Sequence, residues 1–333
     1  MRRDGIEPYR MPVPPSGDIV RWPASFGRRF VVFMDVEEEF DWSAPLDRRH
    51  RSVSTIAALP SAHARFAAHG VGLACMIDHP VASDAAAVDI LRAVLADGRS
   101  TLGAQLHPWV TPPYAAAAPG DSYAGNLPRG LEAAKLDTLT DLLRVAFGRT
   151  PVAYRAGRYG IGAATRDLLV DRGYRIDTSV RARYDYRADG GPDFSAIGNA
   201  AYRTGGLLEI PLTTVFAGRL RRHGSALYPV AARVPRTPGL LARSGLLRRI
   251  ALTPEDMPIA DALEAVRIAV GEEDLRLLAF SFHSPSLVPG HTPYVRDAAD
   301  LSRFWQWWDR MFDLLARLGM TAASLEDLLR AAG

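Results

Sequence analysis

The chain has 333 residues, 48% apolar and 23% charged, with a formal net charge of +3. That profile belongs to a globular protein with enough core for one large domain or two ordinary ones, and no apolar run approaches the roughly 20 residues of a membrane span. One cysteine, Cys75, excludes an intramolecular disulfide, and Lys135 is the only lysine among the basic residues, a bias toward arginine that does not by itself signal nucleic-acid binding.

Residues 1–29 read as an irregular, proline-containing lead-in without an apolar secretory core, so a cytoplasmic protein is expected. Phe30-Val31-Val32-Phe33-Met34 is a continuous apolar run, the pattern of a short strand buried on both faces. It leads directly into Asp35-Val36-Glu37-Glu38-Glu39. A strand interior does not solvate a carboxylate, which puts Asp35 where the strand emerges at its C-terminal end. Residues two apart in an extended chain point the same way, so Asp35 and Glu37 are expected to face one site. Such a pair suits either a metal or an acid and a base with separated pKa values.

Helical patterns over 54–69 and 83–96 end at Gly70 and at Asp97-Gly98, the second with Ser83 as its N-cap. Strands over 71–77 and 101–106 end in Asp78-His79-Pro80 and His107-Pro108-Trp109. A long loop, 110–130, precedes a helix over 131–147 closed by Gly148. A strand over 152–154 runs into Arg155-Ala156-Gly157-Arg158-Tyr159-Gly160; a helix over 163–171, a strand over 174–176 ending at Asp177 and a strand over 207–210 follow. Between Glu209 and Glu255 there is no acid, while eight arginines fall from Arg219 to Arg249. Prolines at 229, 235 and 238 exclude one long helix there, so a loop and then a short amphipathic helix over 240–252 are expected. Mixed arginine and leucine would suit an anionic glycan or a membrane surface. The chain closes with a helix over 260–270, a strand over 276–282 entering His283-Ser284-Pro285, a helix from 298 with a wide apolar stripe, and a short strand over 320–323.

Strands alternating with crossover helices predict a parallel sheet with helices outside. Titratable residues gathered at the strand ends predict a barrel with its site on the C-terminal face, and no glycine-rich phosphate loop follows the first strand to favour a doubly wound sheet. The expectation is an α/β chain folded as one distorted (β/α) barrel over 30–333, with seven or eight parallel strands and a basic insertion at about 213–258.

With these pieces in order the chain resembles the polysaccharide deacetylase family, the carbohydrate esterases with the NodB homology domain, and within it the WalW-like bacterial branch. Phe33-Met34-Asp35-Val36-Glu37 is similar to the first family motif, Tyr154-Arg155-Ala156-Gly157-Arg158-Tyr159-Gly160 to the third, and Phe280-Ser281-Phe282-His283-Ser284-Pro285-Ser286-Leu287 to the last. The resemblance implies that Asp35 is the catalytic base, Arg155 its orienting cation and His283 the general acid, with Glu37 and His107 as metal ligands. The implied metal is divalent: zinc, or cobalt, nickel or manganese. The substrate implied is an N-acetylated sugar or polysaccharide, with Trp109 and Tyr159, and also Tyr114, offered for stacking. The chain departs from the second motif, where Gln105 stands about where the first of two metal-binding histidines belongs; His79 could complete the site from the neighbouring strand. That departure carries the alternatives: a glycan-binding, non-catalytic descendant of the fold, or a related hydrolase of nonpeptide C–N bonds.

Overall fold

The computed structural model describes residues 7–115, 118 and 120–333. The first six residues of the expected lead-in, and residues 116, 117 and 119 of the expected 110–130 loop, lie outside the described residues.

The elements follow in the order β1 (Arg29–Val36), α1 (Leu59–Ala68), β2 (Leu73–Ile77), α2 (His79–Ser83), α3 (Ala85–Leu95), β3 (Thr101–Leu106), α4 (Arg129–Phe147), β4 (Ala153–Ala156), α5 (Thr165–Asp171) and β5 (Ile176–Asp177). Then come β6 (Tyr202–Thr204), β7 (Leu207–Glu209), β8 (Thr214–Ala217), α6 (Gly224–Ala231), α7 (Thr237–Arg243), β9 (Arg248–Ala251), α8 (Ile259–Gly271), β10 (Leu277–His283), α9 (Ala298–Arg317), β11 (Thr321–Ala322) and α10 (Leu325–Ala332).

Among the described residues the main sheet runs β10-β1-β2-β3-β4-β5-β7-β6, with β11 beside the start of β1. Every pairing in it is parallel except the antiparallel β6–β7 edge, which the sequence pattern did not show. The gap between β7 and β10 is spanned by chain. The Leu212 N–H donates to Val180 O at 2.8 Å, the Thr213 N–H to Ala279 O at 3.1 Å, and the Ser281 N–H to Leu252 O at 3.2 Å. The result is a curled, mostly parallel, distorted (β/α) barrel.

Alternation explains how an interior forms inside it. Val31 and Phe33 of β1, Ala74 and Met76 of β2, Ala153 of β4, Ile176 of β5, Leu208 of β7 and Ala279 of β10 fill the lower barrel as one apolar cluster. Their neighbours Val32, Met34, Cys75, Ile77, Leu102, Ala104, Phe280 and Phe282 pack outward under the helices, with Phe304, Trp308 and Phe312 of α9. Gly103 belongs to the inner row, and a Cβ there would lie 2.5 Å from Met76 Sδ, so the methionine fills the space a side chain would need. Leu325 and Leu328 of α10 join the inner cluster, as does Phe26, on which Trp22 stacks at 4.2 Å. The lead-in also protects the sheet edge, since Ile19 bridges Tyr202 of β6.

Two local expectations are corrected. The cap of α3 is Asp84, whose carboxylate accepts the Ala87 N–H at 2.8 Å, while Ser83 ends α2. No helix covers 240–252: α7 ends at Arg243, Gly245 adopts φ +70°, and β9 pairs antiparallel with β8. Leu247 and Ile250 are buried there, so apolar burial and strand pairing prevail over the helical spacing. The arginines of this insertion also find acids from outside it. Arg248 bridges Asp261 and Glu264 of α8 at 2.5 Å each, and Arg221 meets Glu272 at 2.8 Å.

Candidate active site

One layer above the apolar interior the inward residues turn polar. Register places Asp35 of β1 opposite His283 of β10, and Gln105 of β3 opposite Arg155 of β4. The alternation that fills the lower barrel thus converges these four side chains at the strand ends.

Arg155 is fully buried and donates through Nη1 to Asp35 Oδ1 and through Nη2 to Thr178 Oγ1 at 3.3 Å. Its guanidinium lies 4.9 Å from the Phe33 ring centroid. A buried cation is tolerable when paired in this way. His283 places Nε2 3.7 Å from Asp35 Oδ2, with Nδ1 2.7 Å from Glu255 Oε2. Glu255 also accepts the His283 backbone N–H at 3.1 Å and the Ser286 hydroxyl at 2.5 Å. Burial alone would lower the basicity of His283, but Glu255, Glu37 and Asp35 outweigh it and hold the imidazole well above its usual pKa.

Glu37 is buried, and burial pushes it up to about 8, against the pull of His283 and His107. Gln105 Nε2 donates to its Oε2 at 3.3 Å, and His107 Nε2 stands 3.5 Å from the same oxygen. The far nitrogen of His107, Nδ1, is 2.8 Å from Glu38 Oε2, and the other Glu38 oxygen accepts Trp109 Nε1–H at 2.7 Å. Asp78 accepts the Glu38 backbone N–H at 2.9 Å and caps α2 through the Val81 N–H. Burial, then the neighbouring Glu38, holds the Asp78 carboxyl well above its usual range. Gly157 clears room for this cluster, because a Cβ there would sit 2.3 Å from the His107 ring.

Two sets of possible metal donors result among the described residues: Asp35, Glu37 and His283, and Glu38, Asp78 and His107. Glu37 and His107 face each other across the boundary between the sets. Buried Glu37 Oε1 and Gln105 Oε1 have no hydrogen-bond partner. Carboxylate, amide oxygen and imidazole make a donor set that fits a divalent cation, with Glu38 orienting His107 from behind. His79 belongs to neither set. Its Nδ1 lies 3.1 Å from Arg51 Nη2, and burial and that guanidinium hold it down to about 4.

These groups open into a cavity of about 1010 Å³ whose wall includes Trp109, Tyr114 and Tyr159. Trp109 stacks on His107 at 4.2 Å and Tyr159 on Tyr186 at 5.6 Å. Sequence reasoning missed Phe40 and Trp42, which stack at 4.8 Å, with Trp42 meeting the His283 ring edge-on at 5.2 Å. Arg158 and Tyr159 both occupy the left-handed region, at φ +56° and +60°, a strained turn that aims Tyr159 at the cavity. Lys135 of α4 is buried and donates to the carbonyls of Pro108 (2.9 Å), Thr111 (2.5 Å) and Pro113 (2.8 Å), fixing the loop that carries Trp109. Glu255, Glu38 and Asp78 were also missed as site residues. They sit in turns, where no periodicity marks them, and only the Asp78-His79-Pro80 strand end gave a signal.

No family model matches the chain, and no curated protein does. Solved structures do resemble it. Puue allantoinase is 16% identical, with a TM-score of 0.51 over 96% of this chain and 93% of that one. The 4-alpha-glucanotransferase of Thermococcus litoralis is 11% identical, with a TM-score of 0.51 over 91% of this chain and 40% of that one. A Mycobacterium smegmatis protein assigned to the polysaccharide deacetylases is 17% identical, with a TM-score of 0.49 over 94% and 98%. At such identities the two likenesses with a TM-score of 0.51 establish the fold alone, which is the one expected from the sequence.

Proposed function

We propose that this chain is a hydrolase of nonpeptide C–N bonds that removes the acetyl group from an N-acetylated sugar or polysaccharide. The observation that carries the reading is Asp35 and His283 on the wall of an aromatic-lined cavity, with Arg155 paired to the first and Glu255 to the second. Amide hydrolysis needs a base for the attacking water and an acid for the departing amine. Asp35 serves as the base, and Arg155 pairs with its carboxylate and aligns it. His283, protonated in its ring of carboxylates, delivers a proton from Nε2 to the leaving nitrogen, while Glu255 fixes its tautomer at Nδ1. Glu37 and His107 would hold a divalent metal, zinc or else cobalt, nickel or manganese, whose chemistry when bound is to polarise a carbonyl and acidify water. Trp109 and Tyr159 stack on sugar rings. We place this chemistry in the cytoplasm, in keeping with Cys75 as an unreactive buried thiol pushed up to about 12 by desolvation.

The test is acetate release from N-acetylated sugars and their oligomers, with the metal content of protein purified without chelator measured in parallel for wild type and His107→Ala. Release together with metal that depends on His107 supports the reading. Sugar binding without release under any added divalent metal would instead support the glycan-binding reading, which the presence of Gln105 in place of a histidine favours.

The basic insertion serves as a docking surface for an anionic membrane or glycan. Leu227, Val230, Val234 and Leu240 are all exposed on it, and Arg233, Arg236 and Arg243 lie among them.

A further inference from the structure

We propose that Arg181 receives an anionic group of the substrate, so that the N-acetylated sugar taken by this site is an acidic one. The inference rests on the deacetylase reading and adds the charge of the substrate to it. Arg181 lies beyond β5 on the wall of the same cavity as Asp35 and His283, and it is half-buried. Its guanidinium carbon is 4.0 Å from the Tyr184 ring centroid and 5.6 Å from that of Tyr159. Its Nη1 donates to the Tyr186 hydroxyl at 3.5 Å, the long limit of such a contact.

Nearby arginines are committed elsewhere. Arg155 holds Asp35, Arg183 meets Glu273 at 3.0 Å, and Arg158 donates to Ser122 Oγ at 2.5 Å. Among the described residues no carboxylate comes within 4.0 Å of Arg181, and that includes Asp189 and Asp256, which flank the same region. The tyrosine faces offset part of the cost of desolvating the charge, and they do so without using its in-plane donors. Five N–H groups in a rigid fork match a carboxylate or a phosphate in bidentate fashion. Arg249 reinforces the cradle, lying 3.5 Å from the Tyr184 centroid and donating to Arg183 O at 3.0 Å. The charged edge therefore faces a ligand space that already offers sugar-stacking rings.

The experiment compares three probes that share one acetamido group: N-acetylglucosamine, N-acetylmuramic acid and N-acetylglucosamine 1-phosphate. Binding to the full chain is measured by calorimetry at low and physiological salt, with acetate release followed on the same samples. Charge-assisted pairing predicts that at least one anionic probe binds ~10-fold or more tighter than the neutral sugar. The carboxylate and phosphate probes show which anion is preferred. Arg181→Gln should remove the advantage and leave neutral-sugar affinity within about twofold. Arg181→Lys, which keeps the charge without the fork, should retain part of it and carries the test should Arg181→Gln fail to fold. Equal affinities for neutral and charged probes, or an advantage that survives Arg181→Gln, overturn the role of Arg181 while continuing acetate release leaves the deacetylase reading standing. Neither binding nor release with any probe overturns both.

Discussion

Asp35 and His283 differ in what surrounds them, and the roles proposed for them rest on that difference. Asp35 meets a fixed cation in Arg155, whereas His283 meets three carboxylates. Asp35→Asn keeps the shape and removes the basicity, so turnover should fall by ~10²–10⁴-fold, with the circular dichroism spectrum and melting temperature little changed. Wild-type kcat in that variant would refute the assignment. Glu255→Gln removes the nearest charge that raises His283, so its pKa should drop. A general acid must be protonated to act, so the alkaline limb of the kcat profile should move to lower pH. A merely structural Glu255 would lower kcat without moving that limb. The convergence of Asp35, Arg155 and His283 could be read from the sequence because each ends or closes an apolar strand run. Glu255 could not, because it lies in an irregular turn after β9 and is brought to His283 only by the closing of the barrel.

At the level of elements, the insertion between β7 and α8 divides into two parts. Its closing strand is tied to the barrel by Arg248 and Arg249, whereas α6, α7 and the link between them carry the exposed Leu227, Val230, Val234 and Leu240. The arginines to test are therefore Arg233, Arg236 and Arg243. Wild type should bind anionic phosphatidylserine vesicles at low salt, weaken toward physiological salt, and lose most of its binding when these three become Gln. Co-sedimentation reads this directly, and no binding at low salt rejects the membrane version. The strand β9 was hidden in the sequence because two arginines separate the buried Leu247 just before it from its own buried Ile250, a spacing that a helix also satisfies. The strands β1 and β10 were legible to within about two residues, because burial on both faces leaves long apolar runs, and β3 was legible from its short run before His107-Pro108. The antiparallel β6 was not, being too short to show any period, and β5, expected over 174–176 and ending at Asp177, is confined to Ile176–Asp177.

For the whole molecule, the buried carboxylates set an unusual pH dependence. Burial raises Glu132 to about 7 and Asp177 to about 6, and lifts Asp78 and Glu209 well above their usual range. A carboxylate raised in the folded state binds its proton more tightly there than in the unfolded chain. Stability then falls as pH rises from the unfolded value through the folded one. His283, raised as well, acts in the same direction: its contribution is complete below its unfolded value and is lost as pH climbs through the folded one. Of the opposing groups, Asp47, Asp97 and Asp300 at about 2 lose their contribution only in strong acid, while His79, lowered from 6.5 to about 4, acts between those values but is one group against the several raised ones. With chelator present, the melting temperature should therefore be higher near pH 5.5 than near pH 8, as calorimetry can check. A maximum above pH 7 would contradict this. The barrel itself was legible because the order of strands and crossover helices is a global property of the chain. Its incomplete closure was not, because the seam between β7 and β10 is spanned by irregular chain.

Lys135 has a use outside chemistry. A protease specific for lysine has one possible cut in this sequence, and that bond lies within α4, beside a side chain held by three carbonyls. Cleavage into fragments 1–135 and 136–333 therefore requires α4 to open. The rate of appearance of those two bands, followed against temperature or added sugar, becomes a clock for that opening in otherwise native protein.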